Sequence, residues 1–465
     1  MNTISRLQFP LFTPPSEWVP PDPLPDLTDA KEIAIDLETR DPDLKTQGPG
    51  WPTGNGEVVG IAVAVEGWFG YLPIAHLGGG NLDKRIVTNW LRKQLVTDCP
   101  KIMHNAQYDA GWLRQMGITM NGPIIDTMIM GSLLDENRFS FSLNALAFDY
   151  LGEAKSERTL TEAAIDFGVD PKAELWKLPA QFVGSYAEQD AKLALDLYKF
   201  FKVRLAAEDL STVFDLETRL TPCLIDMTWR GIRVDMDRAE RTKQELLKRE
   251  KDTLKRVKSL AGFNVEIWAA ASLAKAFDTL GLQYPKTDKG APSFTKSFLS
   301  EHPHEFPQLV VKARELNKVQ GTFITSIMKH VGPDARIHGH VNQIRSDDGG
   351  TVSGRISMNN PNLQQIPARD PELGPMIRSL FLPEEGEQWA AIDFSQHTMV
   401  SEMANIPRKQ AKVINLGMMY GMGVNKLAAQ LDIEPEEAKE LTKQYHSRVP
   451  FVKELMNGVS LKVES

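Results

Sequence analysis

Residues 33–39, IAIDLET, constrain the fold of this chain more than any other stretch. They read as an apolar β-strand that turns polar at two positions two residues apart. Strand side chains alternate faces, so Asp36 and Glu38 point the same way. At about 3.3 Å per residue they leave the backbone roughly 6.6 Å apart, a reach suited to gripping two cations about 4 Å apart. Two unneutralised carboxylates placed like this repel each other, and a divalent metal or a protonated partner is the natural completion. Acid pairs at strand ends are common on their own, so a metal centre needs further acids from elsewhere.

The chain has 465 residues, 42% of them hydrophobic and 25% charged, enough for two or three separate cores. No apolar run approaches a membrane span and the first residues lack the layout of a secretory signal, so a cytoplasmic setting without a membrane partner is expected. Cys99 and Cys223 stand far apart, which argues against a disulfide framework and a CxxC metal site. The formal net charge of −8 does not exclude a polyanionic partner, because a basic groove can be segregated from an acidic exterior.

Residues 1–28 are crowded with proline, Pro14, Pro15, Pro20, Pro21, Pro23 and Pro25 among them, and read as an extended strap or a tail. Residues 58–74 give two strands around a turn at Glu66 and Gly67, 83–95 a helix, 101–104 a short strand and 106–116 a helix. A long helix covers about 182–205. This pattern predicts an α/β domain with a mixed sheet over 29–205, a mostly helical region over 206–335, and a mixed remainder that divides at residue 396.

Two further acidic motifs follow the first. HNAQYD puts Asn105 at a strand end and Asp109 one helical turn on, able to lean back over the strand ends. Asn105 reads equally as a helix N-cap or as a substrate contact. YAEQD places Tyr186 and Asp190 four apart on one helix face. Each motif alone is compatible with ordinary packing, but their order lets Asp36, Glu38, Asp109 and Asp190 converge on two metals. One would generate a hydroxide nucleophile and the other stabilise the leaving alkoxide. Tyr186, a poor base near neutral pH, would orient the water.

This ordered set resembles the DnaQ-like 3′–5′ exonucleases, in the subclass with Tyr before the last Asp. The resemblance implies a ribonuclease H-like fold, two Mg²⁺ or Mn²⁺ ions per site, and removal of nucleotides from a DNA 3′ end.

In the helical region, Lys248, Lys251, Lys255 and Lys258 form one helix face, readable as a solvated face or as a phosphate track. Farther on, KARELNKVQGTF sets Arg314, Lys318 and Thr322 one turn apart and resembles the thumb of DNA polymerase I-type enzymes. There the matching residues hold the backbone of duplex DNA, with affinity but no sequence preference. TVSGRISMNNPNLQQIPAR, residues 351–369, resembles the TGR…PNLQNIP segment of the same family. By that resemblance Arg355, Asn362 and Gln364 contact primer and template. QWAAIDFSQ is similar to the palm strand whose Asp393 binds catalytic metal. RKQAKVINLGMMYG is similar to the fingers helix, with Arg408 and Lys412 toward the triphosphate, Leu416 where an aromatic usually stands, and Tyr420 near the templating base.

The chain also departs from that family. Thr398 stands where a Glu is usual, and 397–407 is far too short for the helical stretch that precedes the fingers arginine. No later His-Asp-Glu strand is found before Ser465, so residues 336–396 and 397–465 are expected to form a partial palm and partial fingers. Glu434, Glu436 and Glu437 read as a helix start rather than as palm ligands. DNA, as a single-stranded 3′ end and as primer–template, is the expected partner. Deoxynucleotides join it if the polymerase site is complete, and a processivity factor is undefined. The expected activity is proofreading hydrolysis without extension. The other readings are an inert primer–template-binding scaffold and an RNase D-like ribonuclease, which would leave residues 355–369 without a role.

Overall fold

The computed structural model describes residues 16–153, 155–345, 350–352, 354–367, 370–390, 407, 410–411, 413–414, 417 and 422–448. The chain divides into two compact units, 1–385 and 386–465.

The first unit begins with an extended strap. Ser16 Oγ donates to the Gln181 carbonyl (2.7 Å) and the Trp18 indole donates to Glu188 (3.0 Å). A five-stranded mixed sheet follows, in the order β3-β2-β1-β4-β5. Its strands are β1 (Ile33–Arg40), β2 (Glu57–Val65), β3 (Trp68–Pro73), β4 (Lys101–Met103) and β5 (Ile124–Asp126); the short α1 (Leu44–Gln47) lies between β1 and β2. β1 pairs antiparallel with β2 and parallel with β4. Along β1 the alternation sorts side chains between two cores. Ile33, Ile35 and Leu37 join a core with α2 (Lys84–Leu95) and α3 (Ala106–Gln115). Ala34 faces the other core, formed with α4 (Thr127–Leu134), α5 (Leu143–Leu151), α6 (Arg158–Phe167) and the long α7 (Gly184–Ala207). Asp36 and Glu38 follow Ala34 in that alternation and so emerge on the α7 side. Gly60, paired opposite Glu38, has to be glycine, because a Cβ there would sit 2.0 Å from the Tyr71 hydroxyl. The register slips just after Glu38, where β2 carries Val59 as an extra residue, a bulge that ends regular pairing beside the acids.

Helix α8 (Ser211–Arg230) leads to β6 (Ile232–Val234) and the 26-residue α9 (Met236–Ala261). α10 (Ala270–Thr279) and α11 (Lys296–Glu301) sit with α12 (Glu305–Lys318) around an aromatic core of Phe277, Phe294, Phe298 and Phe306. After a π-helical turn (Val319–Ile324) and α13 (Thr325–His330) come β7 (Arg336–Ile337), the hairpin β8 (His340–Asn342) and β9 (Ser357–Asn359), α14 (Leu373–Arg378) and β10 (Phe381–Leu382). β10, β6 and β7 form a second small sheet. The second unit contains α15 (Val424–Leu431) and α16 (Pro435–Arg448), joined through Asp432 in the left-handed region, around Leu427, Ala438 and Tyr445. Glu436 and Glu437 occupy the first turn of α16, the helix start read from the sequence. Among the described residues no helix is long and apolar enough to cross a membrane.

Candidate metal centre and nucleic-acid interface

Asp36 and Glu38 from β1 meet Asp190 from α7, with ligand oxygens within 4.8 Å of one another. The acids perturb each other. Burial, then the charge of Asp190, pushes the Asp36 carboxyl up to about 7. Glu38 rises well above the usual range through burial and the charges of Asp36 and Asp190. Asp109, in the first turn of α3, lies outside that trio but next to it. Its carboxyl is raised by burial and then by Asp36, against a hydrogen bond from the Leu37 N–H. Of the four acids the sequence brought together, three share one focus and the fourth flanks it.

Lys155, on the segment between α5 and α6, is a part of this site that the sequence reading missed. Its ammonium donates to Asp190 Oδ2 at 2.6 Å, with the two side chains only 7% and 8% exposed. It also lies 4.1 Å from the Tyr186 ring centre. The other oxygen, Asp190 Oδ1, is buried without a hydrogen-bond partner among the described residues. A buried carboxylate oxygen in that state fits a cation ligand, so the donor set suits a hard divalent metal. Tyr186 is held protonated by burial and by the charges of Glu38, Asp190 and Asp36. His104 lies half-buried nearby with Nδ1 on the Thr127 hydroxyl (2.8 Å), and desolvation pulls its pKa down to about 4.

Asn105 occupies the N-cap position of α3 but makes no side-chain cap, because its backbone is left-handed (φ 69°). Asp126, the last residue of β5, does the capping. It accepts the N–H of Asn105 (3.1 Å), Ala106 (2.8 Å) and Met128 (2.8 Å), holding the starts of α3 and α4 together. This leaves the Asn105 amide facing a cleft of about 650 Å³ that Tyr108, Phe141, Asn342, Gln343 and Asn360 also line. The Tyr108 hydroxyl is tied to Thr39 (2.7 Å) and Asp41 (3.1 Å). Gln343 is buried at the cleft floor. It accepts from Gln107 (3.2 Å) and Thr221 (3.0 Å) and donates to the Glu217 carboxylate (2.8 Å), linking α3, α8 and the β8 hairpin. The trio does not line this cleft, which lies beyond Asn105.

Arg314, expected on the DNA-facing side of the thumb, donates to the carbonyls of Ile267 (2.7 Å) and Phe294 (3.4 Å) and lies over Trp268. Lys318 and Thr322 are exposed. Lys248, Lys251, Lys255 and Lys258 are exposed along α9, Lys255 paired with Asp252 (3.0 Å). Asn362 caps the turn before Gln364, whose amide donates to the Ile356 carbonyl (3.0 Å), and Arg355 is exposed. Asp393, Thr398, Arg408, Lys412, Leu416 and Tyr420 lie outside the described residues.

Comparison with known proteins agrees with this architecture. The family model for 3′-5′ exonuclease matches residues 24–206, and that for DNA polymerase family A matches 236–404 and 397–465. The DNA-directed DNA polymerase of Pseudomonas phage M6 is 37% identical, with 92% of this chain and 73% of that protein covered. Its alignment runs over 488 positions, more than the 465 residues present here, so this chain carries gaps against it. DNA polymerase DpoZ of Acinetobacter phage SH-Ab 15497 is 30% identical over 83% of this chain and 74% of its own length. Among solved structures, the POL domain of Pol1 from M. smegmatis, in complex with DNA primer-template and dNTP, aligns with a TM-score of 0.69 and 22% identity. That alignment covers 94% of this chain and 76% of the other. The fold is thus a mixed α/β exonuclease-like domain followed by largely helical regions of thumb and palm–fingers type. The chain belongs to DNA polymerase family A, with an N-terminal 3′–5′ exonuclease region.

Proposed function

We propose that this protein is a divalent-metal-dependent 3′–5′ exonuclease that proofreads DNA, with residues 29–205 as the hydrolytic domain and 206–335 as linker and thumb. The observation that carries this reading is the convergence of Asp36, Glu38 and Asp190, from elements about 150 residues apart, within 4.8 Å, with one buried Asp190 oxygen left without a hydrogen-bond partner among the described residues. Asp36, Glu38, Asp109 and Asp190 would hold two Mg²⁺ or Mn²⁺ ions. Such ions, when bound, make water more acidic and stabilise negative charge on a leaving 3′ oxygen. Tyr186 keeps its proton, so it donates a hydrogen bond that orients the attacking water and is not the base. Asn105, fixed by the left-handed backbone, presents its amide to the strand that enters along the cleft. Tyr108 and Phe141 offer faces for unpaired bases. The primer–template and nucleotide in the mycobacterial complex support the same partners for this chain. The test is Mg²⁺-dependent shortening of a 3′-labelled single strand.

A second proposal concerns synthesis. Only residues 397–407 separate the palm-like 388–396 from the fingers-like Arg408, and the polymerase family model matches in two stretches that overlap there. We therefore propose that Asp393, Arg408, Lys412 and Tyr420 keep palm and nucleotide-contacting positions, while these 465 residues do not extend a primer. On the same reading Arg355, Asn362, Gln364, Lys318 and Thr322 hold primer–template. Incubation with primer–template, all four deoxynucleotides and Mg²⁺ should shorten the primer only, and templated extension would overturn this second proposal.

A further inference from the structure

The extended strap around Trp18 grips the start of the helix that carries Tyr186. Tyr186 is the third residue of α7, and Val183, just before the helix, makes no side-chain cap hydrogen bond. The first N–H groups of a helix have no intrahelical partners, so Tyr186 sits where α7 is least held by itself. The strap supplies contacts there. Ser16 Oγ donates to the Gln181 carbonyl (2.7 Å) ahead of the helix, and the Trp18 indole N–H donates to Glu188 Oε1 (3.0 Å). The same oxygen accepts the backbone N–H of Tyr71 on β3 (3.1 Å), so Glu188 ties α7 to the sheet with Trp18 as its other donor. At about 3.6 residues per turn, Glu188 lies roughly 200° round the helix from Tyr186. It therefore holds α7 from behind the face that Tyr186 and Asp190 share. The indole is seated on bare backbone, since a Cβ on Gly184, the first residue of α7, would fall 2.0 Å from Trp18 Cε2. Trp18 also packs against Tyr71, with ring centres 5.9 Å apart. The exonuclease family model begins its match at residue 24, so Ser16 and Trp18 precede the matched residues.

We propose that Trp18 is a positioning residue for the exonuclease reaction, holding the first turn of α7 so that the Tyr186 hydroxyl reaches the attacking water. The inference rests on the exonuclease reading above. An orienting phenol acts only within hydrogen-bond reach of its water, and a misplacement of about 1 Å, even from a change remote from the chemistry, can cost about 100-fold in rate. With the indole gone, the uncapped turn keeps the Glu188 bond to β3 but loses the ring on Gly184 and one of the two donors to Glu188. The cleft assigned to the single strand is lined by none of Ser16, Trp18, Gly184 or Glu188. Release of the strap therefore lowers kcat and leaves KM. A strap that only stabilised the fold would act equally whether or not the Tyr186 hydroxyl is present.

The experiment follows Mg²⁺-dependent shortening of a 3′-labelled single strand by the full chain, with kcat and KM separated, in a double-mutant cycle of Trp18→Ala and Tyr186→Phe. Trp18→Ala should lower kcat by roughly tenfold and leave KM within about twofold. In the Tyr186→Phe background the same change should cost less than about threefold, because the group it positions is gone. Gly184→Ala reaches the same state by another route. Alanine is the better helix former, yet its methyl displaces the indole, so kcat should fall although helix propensity rises. Trp18→Phe, which keeps a ring on Gly184 but no donor for Glu188, should fall between Trp18→Ala and the unaltered protein. A Trp18→Ala kcat within about twofold of the unaltered value, or equal losses with and without the Tyr186 hydroxyl, would overturn the role of Trp18. Should Trp18→Ala fold poorly, as judged by its thermal midpoint, Gly184→Ala carries the cycle with Tyr186→Phe, and an unchanged kcat in Gly184→Ala counts against the proposal equally. No Mg²⁺-dependent shortening by the unaltered protein would instead remove the exonuclease reading, and the role of Trp18 with it.

Discussion

Asp126→Asn isolates the capping that fixes Asn105 and Asp109 while leaving every proposed metal ligand intact. The Asp126 side chain is buried, with Oδ1 accepting from Asn105 and Met128 and Oδ2 from Ala106. An amide has one acceptor oxygen, so in either orientation its NH₂ faces at least one backbone N–H. Leaving a buried donor unsatisfied costs about 1–3 kcal/mol. Replacing a charged acceptor by a neutral one weakens the remaining bonds. Part of this is offset, because the Asp126 charge opposes ionisation of Asp109. A net local loss of about 2 kcal/mol corresponds to roughly 30-fold faster opening, since about 1.4 kcal/mol is a factor of ten. Hydrogen exchange of a peptide spanning 104–110, followed by mass spectrometry, reads that opening directly. The β2–β3 hairpin serves as internal reference. Exonuclease turnover should fall with it, since Asp109 and Asn105 both sit on the loosened turn. Exchange at 104–110 unchanged in Asp126→Asn would refute the argument that Asp126 holds α3.

His76 is buried between the Tyr71 hydroxyl (2.7 Å) and the Leu178 carbonyl (3.0 Å), and burial pulls its pKa down to about 4. The neutral ring therefore contributes stability above the unfolded value of about 6.5, lost as pH falls toward 4, by up to about 3 kcal/mol. Thermal midpoints should drop across that window, and less steeply in His76→Gln. Tyr186→Phe should retain at least about tenfold more nuclease activity than Asp190→Ala, since an orienting group contributes less than a ligand; equal losses would speak against the orienting role. Lys318→Ala should lower the slope of log affinity for primer–template against log salt by about 0.9, one phosphate contact. Arg314→Ala should instead lower the thumb's melting temperature, because its guanidinium serves the Ile267 and Phe294 carbonyls.

Much of the exonuclease region was legible because its strands are short apolar runs bounded by turn residues and its last helix is long. The strand read at 33–39 is Ile33–Arg40, the turn at Glu66 and Gly67 separates Val65 from Trp68, and the helix expected near 182–205 is Gly184–Ala207. Ordered acids on those elements then had only one sheet face on which to meet. What stayed hidden depends on contacts remote in sequence. Lys155 follows a helix-ending glycine at no telling distance from any acid, and only the packing of that segment along α7 brings it to Asp190. Asp126 looks like the ordinary cap of α4. Its hold on α3 exists because β5 runs parallel beside β4. The Asn105 capping reading failed for a backbone reason, since a left-handed residue cannot present its side chain to the first turn in the usual way. Arg314 does lie one turn from Lys318, but the carbonyls that engage it arrive from 267 and 294, which helical spacing cannot show.

The most direct test of the central claim compares the unaltered protein with the Asp36→Ala, Glu38→Ala double variant on a 3′-labelled single-stranded oligonucleotide, with Mg²⁺ and with chelator. Stepwise loss of 3′ nucleotides is expected for the unaltered protein with Mg²⁺ and in no other arm, with both proteins giving the same thermal unfolding profile in chelator to within a few degrees. Undiminished digestion by the folded double variant, or digestion in chelator, would contradict a metal-dependent exonuclease built on these acids.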